Sequence, residues 1–215
     1  MDTGKKKVAV LLSGSGTTFQ YIQDCIKNGD LDAEIVVVVS SRPDAYGIDR
    51  AKADNIPVFT VPRKEFNKFD SDAGVLFNRK IMEVIEPYEP DLVVLAGFMS
   101  LLSSEFVQQY PGRIMNTHPA LIPCFCGEGY YGDKVHKAVV DRGVKISGCT
   151  IHFVDEHYDH GPIILQKPVE IEDTDTSSDV AGKVQAIEKP LYVEAIRLFC
   201  EGRLEIRGRK VFVKK

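Results

Sequence analysis

The stretch MNTHPALIP, residues 115–123, places an asparagine and a histidine one residue apart, just ahead of a proline. In an extended chain, side chains at i and i+2 point the same way. Pro119 biases His118 toward β or polyproline geometry, so Asn116 and His118 project together. An amide and an imidazolium aimed at one point can stabilise an oxyanion, the dominant contribution in many acyl transfers. The same two residues could also mark a strand leaving the core and meeting water, so the rest of the chain must discriminate. The pair lacks a carboxylate, and the downstream segment VDEHYDHGP supplies Asp155, Glu156 and Asp159 as candidates. A carboxylate beside an imidazole orients it and favours its charged form. Such a set suits acyl or formyl transfer to an amine that attacks directly, with water excluded. Cys124 and Cys126 permit a covalent route, which ranks below direct attack.

A second chemical signal is LLSGSGTTFQ, a glycine-rich turn between an apolar run and the first helical pattern. Glycines let the backbone approach a ligand, and a helix start offers free N–H groups to an anion. Gly16 with the hydroxyls of Thr17 and Thr18 fits a small phosphate. No lysine follows the loop, so it is not a P-loop. Phe19 occupies the third glycine position of a dinucleotide fingerprint, and the second strand ends in Ser40 and Ser41 without an acidic residue. A nicotinamide cofactor is therefore disfavoured.

Cysteines stand at 25, 124, 126, 149 and 200, an odd number at scattered spacing. That pattern argues against a disulfide framework and for a reducing compartment. Cys124-x-Cys126 has no matched second pair, so no metal is expected. The net charge of −4 gives no general attraction to nucleic acid or an anionic membrane. No apolar run approaches the roughly 20 residues that span a bilayer. The lysines ahead of VAVLL superficially suggest a signal peptide, but that run is short and turns at Gly/Ser, so it reads as a first strand. A cytoplasmic location is the expectation.

These residues must be positioned by a repeating strand–helix wiring. KVAVLL, AEIVVVVSS, IPVFTV, DLVVLAG and RIMNT read as strands. TTFQYIQDCIKNG, DAYGIDRAKADN, SDAGVLFNRKIMEVIEPY and SSEFVQQY read as the helices between them. Strands apolar at every position are buried on both faces, as in a parallel sheet covered by helices. Beyond Pro119 the rhythm changes. CFCGEGYYGD is an irregular loop and DKVHKAVVDRG a helix, on which His136 is expected to face solvent. VKISGCTIHFV and PIILQKPVEI are expected to pair antiparallel, with His152 either in the core or behind the site. A long helix follows through TSSDVAGKVQAIEKPLYVEAIRLFCEG, with a kink or break expected near Lys189 because Pro190 lacks an N–H. RLEIRGRKVFVKK reads as a basic edge hairpin around Gly208. The expected fold is α/β, doubly wound and mostly parallel, with helices on both faces and an antiparallel C-terminal portion. It forms one domain over residues 1–215, with a βα half at 1–118 and a second half at 119–215. In such sheets ligands bind beyond the carboxyl ends of strands, where the glycine loop, LAGFMS and MNTH all fall.

Taken in order, SGSGTTFQ, DLVVLAGFMSLL, NTHPALIP and HFVDEHYDHGPIILQ resemble the folate-dependent formyltransferases, from about Val8 to Phe199. The resemblance implies transfer of a formyl group from 10-formyltetrahydrofolate, as co-substrate, to the amine of glycinamide ribonucleotide. It implies Asn116, His118 and Asp159 as the catalytic trio. Gly16, Thr17 and Thr18 would hold the ribonucleotide phosphate, and Glu188 would be an acidic contact to the same substrate. Met99, Ser100, Leu101, Leu102 and Asn116, with the turn Asp155, Glu156, His157, Tyr158 and Asp159, would line the folate pocket. No metal, nucleic acid or membrane partner is implied, and the expected state is a monomer or weak homodimer. The chain departs from the family at Thr17-Thr18, where Ser-Asn is usual, and at His160, where a small residue is frequent. It also departs at Gly74, where an arginine often serves folate, and in the longer loop CFCGEGYYGD. His160 is expected to be a satisfied surface histidine. Relatives of the same family act on other amines or hydrolyse formyltetrahydrofolate, and a non-catalytic folate- or phosphosugar-binding protein is the alternative outside enzymes.

Overall fold

The computed structural model describes residues 4–66 and 72–214. Ser71, the expected first residue of the third helix, lies outside them. The chain forms two compact units, Met1–Met115 and Asn116–Lys215, and the boundary falls inside one strand.

In the first unit, β1 (Lys6–Leu12), β2 (Ala33–Ser40), β3 (Val58–Thr60) and β4 (Leu92–Leu95) are parallel, in the order β3-β2-β1-β4. Val8 to Leu12, Val37 to Val39 and Leu92 to Val94 are fully buried, as continuous apolar runs require when helices cover both faces. The covering helices are α1 (Thr17–Lys27), α2 (Gly47–Ala53), α3 (Ala73–Ile85) and the short α4 (Ser104–Gln109). Phe19 and Ile22 of α1 and Phe77, Ile81 and Ile85 of α3 are completely buried. Gly29 follows α1 in the left-handed conformation that favours glycine. The last strand of the alternation, β5 (Ile114–His118), runs beside β4, with the Val93 N–H donating to the Arg113 carbonyl (2.8 Å).

The second unit takes up the end of β5, then α5 (Asp133–Arg142), β6 (Ile146–Phe153) and β7 (Ile163–Glu170). β6 and β7 pair antiparallel, as their short connection predicts. The long α6 (Ser177–Cys200) starts with a reciprocal cap between Thr176 and Asp179. A core of Val139, Cys149, Ile171, Val180 and Val184 joins α5, β6 and α6, with Phe125 and Leu191 packed against it. The hairpin β8 (Leu204–Arg207) and β9 (Lys210–Val213) turns at Gly208 and adds to β7 through β9. The expected fold class, mostly parallel with an antiparallel C-terminal portion, is the one observed.

Two expectations are corrected. Of the kink or break expected near Lys189, the break does not occur: α6 runs unbroken through Pro190. The carbonyl four residues back belongs to the exposed Ala186 and can turn to water. Buried Val180 and Val184 before the proline, and Tyr192, Val193 and Ile196 after it, hold the helix in place. His136 does not face solvent. It is 4% exposed, on the buried stripe of α5 with Val135 and Val139, and burial holds its imidazole below the ordinary histidine range.

Candidate active site

β5 carries Asn116 and His118 on one face and Thr117 on the other, as strand alternation dictates. His118 is 3% exposed. Its Nδ1 lies 3.3 Å from Asp159 Oδ2, and its Nε2 donates to the Phe125 carbonyl at 2.8 Å. Both ring nitrogens thus face acceptors. Asp159 has a positive φ of 51°, uncommon for a residue with a side chain. This backbone state turns its carboxylate inward, where Oδ2 also accepts the Gly127 N–H at 3.0 Å. Strain of that kind is concentrated at functional sites.

His152 stands behind the amide. Its Nδ1 donates to the Phe153 carbonyl (2.8 Å), which leaves Nε2 with a lone pair that accepts from Asn116 Nδ2 at 3.3 Å. Burial pushes the His152 imidazole below its ordinary range, against the pull of nearby Asp159. A neutral His152 therefore fixes which end of the Asn116 amide points where, and leaves the second Nδ2 proton for a ligand. His152 takes the positioning role that sequence left open beside a core role.

The turn between β6 and β7 is shaped by Gly161, where an added Cβ would overlap the Phe153 carbonyl oxygen. Asp155 Oδ1 accepts the His157 N–H (2.9 Å) and Oδ2 pairs with His160 Nδ1 (2.7 Å). Glu156, His157 and Tyr158 are exposed on the same turn. His160 is a satisfied surface residue, also contacted by Arg209. Cys126 donates its thiol to the Pro123 carbonyl (3.3 Å). Burial, and then the Asp159 charge, push this thiol above its ordinary range, so it remains a thiol and a poor nucleophile. Cys149 is pushed up to about 12 by burial and is equally unsuited.

Glu188, on α6, is half-buried beside Thr117. Burial pushes its carboxyl up. The Thr117 hydroxyl opposes this but makes no hydrogen bond of ordinary geometry. A buried carboxyl whose pKa is pushed up by desolvation is a frequent mark of a functional contact. Its ionised form costs stability once pH rises through that raised value, and costs nothing below about pH 4, where folded and unfolded chains are both protonated. Glu188→Gln should therefore melt higher than the native chain near neutral pH. The difference should vanish near pH 4; thermal melts at the two pH values check it.

In the first unit, Gly16 has φ 70° and begins α1, whose first turn has no side-chain cap. Thr17 is exposed and Thr18 half-buried. A Cβ at Gly16 would stand 2.6 Å from the Gly47 Cα, so close packing of α1 on α2 by itself requires this glycine. Arg50 Nε donates to the Ser15 carbonyl (2.9 Å), setting a guanidinium against the loop. Sequence reading missed it, although an arginine one turn into the next helix was a usable signal. Ser13 Oγ pairs with Ser41 Oγ (2.6 Å) and accepts the Met99 N–H (3.0 Å), tying the strand ends to the Met99–Leu102 segment. Met99 and Leu101 are exposed apolar residues, Ser100 is half-buried, and the Leu102 side chain is 3% exposed and so packs inward. Gly74 lies in the first turn of α3, its carbonyl accepting from Asn78.

The formyl transferase family model matches residues 6–196. The chain is 39% identical over 203 residues to the chloroplastic phosphoribosylglycinamide formyltransferase of Arabidopsis thaliana, covering 94% of this chain and 68% of that protein. It superposes on a crystal structure of glycinamide ribonucleotide transformylase 1 from Symbiobacterium toebii with TM-score 0.89 and 38% identity, covering 98% of this chain and 95% of that one. A formyltetrahydrofolate deformylase from Pseudomonas syringae pv. tomato shares the fold at TM-score 0.86 with 25% identity, over 99% of this chain and 67% of that one. With its trio built on β5 and the β6–β7 turn, and the family match running through both units, the chain belongs to the formyl transferase family.

Proposed function

We propose that the chain transfers the formyl group of 10-formyltetrahydrofolate to the amine of glycinamide ribonucleotide, a step of purine biosynthesis. The observation that carries this reading is the placement of Asn116 and His118 on one face of β5, His118 paired with Asp159 at 3.3 Å and Asn116 held by His152 at 3.3 Å, with His152 3.8 Å from Asp159. The amine nitrogen attacks the formyl carbon, a C–N bond forms, and the carbonyl electron pair moves to oxygen. The Asn116 amide and the His118 charge stabilise that oxyanion. Asp159 keeps His118 oriented and relays the amine proton toward folate N10, whose bond to the formyl carbon breaks as the carbonyl re-forms. The products are the formylated amine and tetrahydrofolate, and no metal or cysteine nucleophile takes part. Because Phe125 occupies Nε2, His118 acts from its Nδ1 side, which it shares with Asp159.

Gly16, Thr17 and Thr18, with Arg50 as counter-charge, hold the substrate phosphate. Glu188 accepts from the ribonucleotide. Met99 and Leu101 in the first unit, and the 155–158 turn in the second, are each assigned contacts to folate. Five cysteines outside any disulfide fit a reducing cytoplasm, where the enzyme works as a monomer or weak homodimer. Among the described residues no helix is long and apolar enough to cross a membrane.

Purified protein mixed with 10-formyltetrahydrofolate and glycinamide ribonucleotide, without added metal, is expected to release tetrahydrofolate. The same rate without the ribonucleotide would identify a hydrolase and sink the transferase reading.

A further inference from the structure

The turn beside the trio carries a group of side chains that the proposed reaction does not use together. One ligand atom from each of Asp155, His157 and His160 lies within 4.8 Å of the others. His157 and His160 are exposed, Asp155 is half-buried, and the two imidazole rings are 5.4 Å apart. Their order, Asp-x-His-x-x-His, places all three on one short turn. We propose that Asp155, His157 and His160 form a surface site for a divalent transition-metal ion of the zinc type.

Two neutral imidazoles and one carboxylate are the donor set that borderline ions such as zinc prefer, whereas magnesium and calcium take mainly oxygen ligands. Asp155 Oδ2 and His160 Nδ1 are 2.7 Å apart, a hydrogen-bond distance. Two ligands of one tetrahedral ion stand roughly 3.3 Å apart, so the ion enters by replacing the proton they share. Binding therefore releases a proton and strengthens as pH rises. The Asp155 carboxylate keeps its second oxygen on the His157 N–H, which holds it in place. Arg209 is the competing cation. Its guanidinium contacts both ring nitrogens of His160, at 3.2 and 3.0 Å, and donates to the His160 carbonyl at 2.6 Å, so the ion must displace it from the ring. The three ligands bracket Asp159. An ion there fixes the turn that carries Asp159 and takes up side chains proposed to meet folate, and so slows formyl transfer; this consequence rests on the function proposed above, whereas the binding does not.

Equilibrium dialysis of the full chain against zinc, at neutral pH with excess magnesium, tests the site. His160→Ala is expected to hold one ion per chain fewer than the native protein, and this difference is independent of any zinc carried by the cysteines. Arg209→Ala is expected to bind that ion several-fold more tightly. Equal loading of the native and His160→Ala chains, or displacement of the ion by magnesium, overturns the site. In the formyl-transfer assay, zinc should slow the native enzyme several-fold and leave His160→Ala at its metal-free rate, with chelator restoring the native rate. Equal slowing of both chains overturns this consequence. The zinc-free rate of the native enzyme reports separately on the transferase reading.

Discussion

Replacing His118 by asparagine is expected to lower kcat by about 10²–10³-fold, the usual cost of one oxyanion-stabilising donor, while the chain stays folded. The substitution keeps a polar side chain on β5 but removes the ring that lies between Asp159 and the Phe125 carbonyl. A side-chain amide cannot span both contacts. Asp159 then loses its ring partner at a position whose side chain is only 10% exposed, although the Gly127 N–H still binds it. Some stability should go with the activity, because a buried charge without its partner is costly. Asp159→Asn should restore part of that stability in the double variant and restore no turnover. Single-turnover rates with saturating substrates, set beside thermal melts of the single and double variants, check both halves. Near-native turnover in a folded His118→Asn protein would remove the histidine from the mechanism.

Gly161→Ala is expected to have the largest effect on the fold of any single methyl addition near the site. The new Cβ would overlap the Phe153 carbonyl oxygen, with the Asp155 N–H only 3.2 Å away. Neither is a flexible side-chain end that can move aside. The ends of β6 and β7 would have to part, breaking the bond from the Phe153 N–H to the Pro162 carbonyl (2.9 Å). A loss of about 3–4 kcal/mol follows for forced overpacking against backbone, or roughly 10 °C in melting temperature for a chain of this size. Asp159, two residues upstream, would be carried out of register with His118, so kcat should fall with the melting temperature. Gly182→Ala is the control. That glycine lies in α6 with nothing within 4 Å of its Cβ position, and helix propensity there favours alanine by about 0.5–1 kcal/mol.

The sequence made the elements readable wherever burial is uniform. Runs such as Val37 to Val39 and Leu92 to Val94 have one physical solution, a strand covered on both faces. The i, i+2 spacing of Asn116 and His118 was readable for the same reason, since a strand has a fixed side-chain period. Where composition and environment disagree, the reading failed. His136 is polar by type but stands between Val135 and Val139 on the apolar stripe of α5, and the stripe decides its burial. Pro190 breaks helices in isolation, but here a buried face on both sides of it sustains α6. Arg50 and His152 act on their neighbours across long sequence separations, 35 residues from Ser15 and 36 from Asn116, which no local pattern reports. Phe125 left no signal at all, because its contribution is a peptide carbonyl, identical in every residue.

That carbonyl has a consequence for how the enzyme can vary. Phe125 packs its ring against the core of α5, β6 and α6 while its backbone meets His118. No codon change can delete a peptide oxygen, so a scan of side-chain substitutions would report residue 125 as a packing position and overlook its place beside the His118 ring. Its neighbours on the contact would be read only by moving it. Any change in the α6 core at Val180 or Val184 that shifts the Phe125 ring also shifts an acceptor against His118. Selection on the site can therefore act through residues whose side chains never approach substrate, and drift in the interior of the second unit becomes a means of tuning turnover.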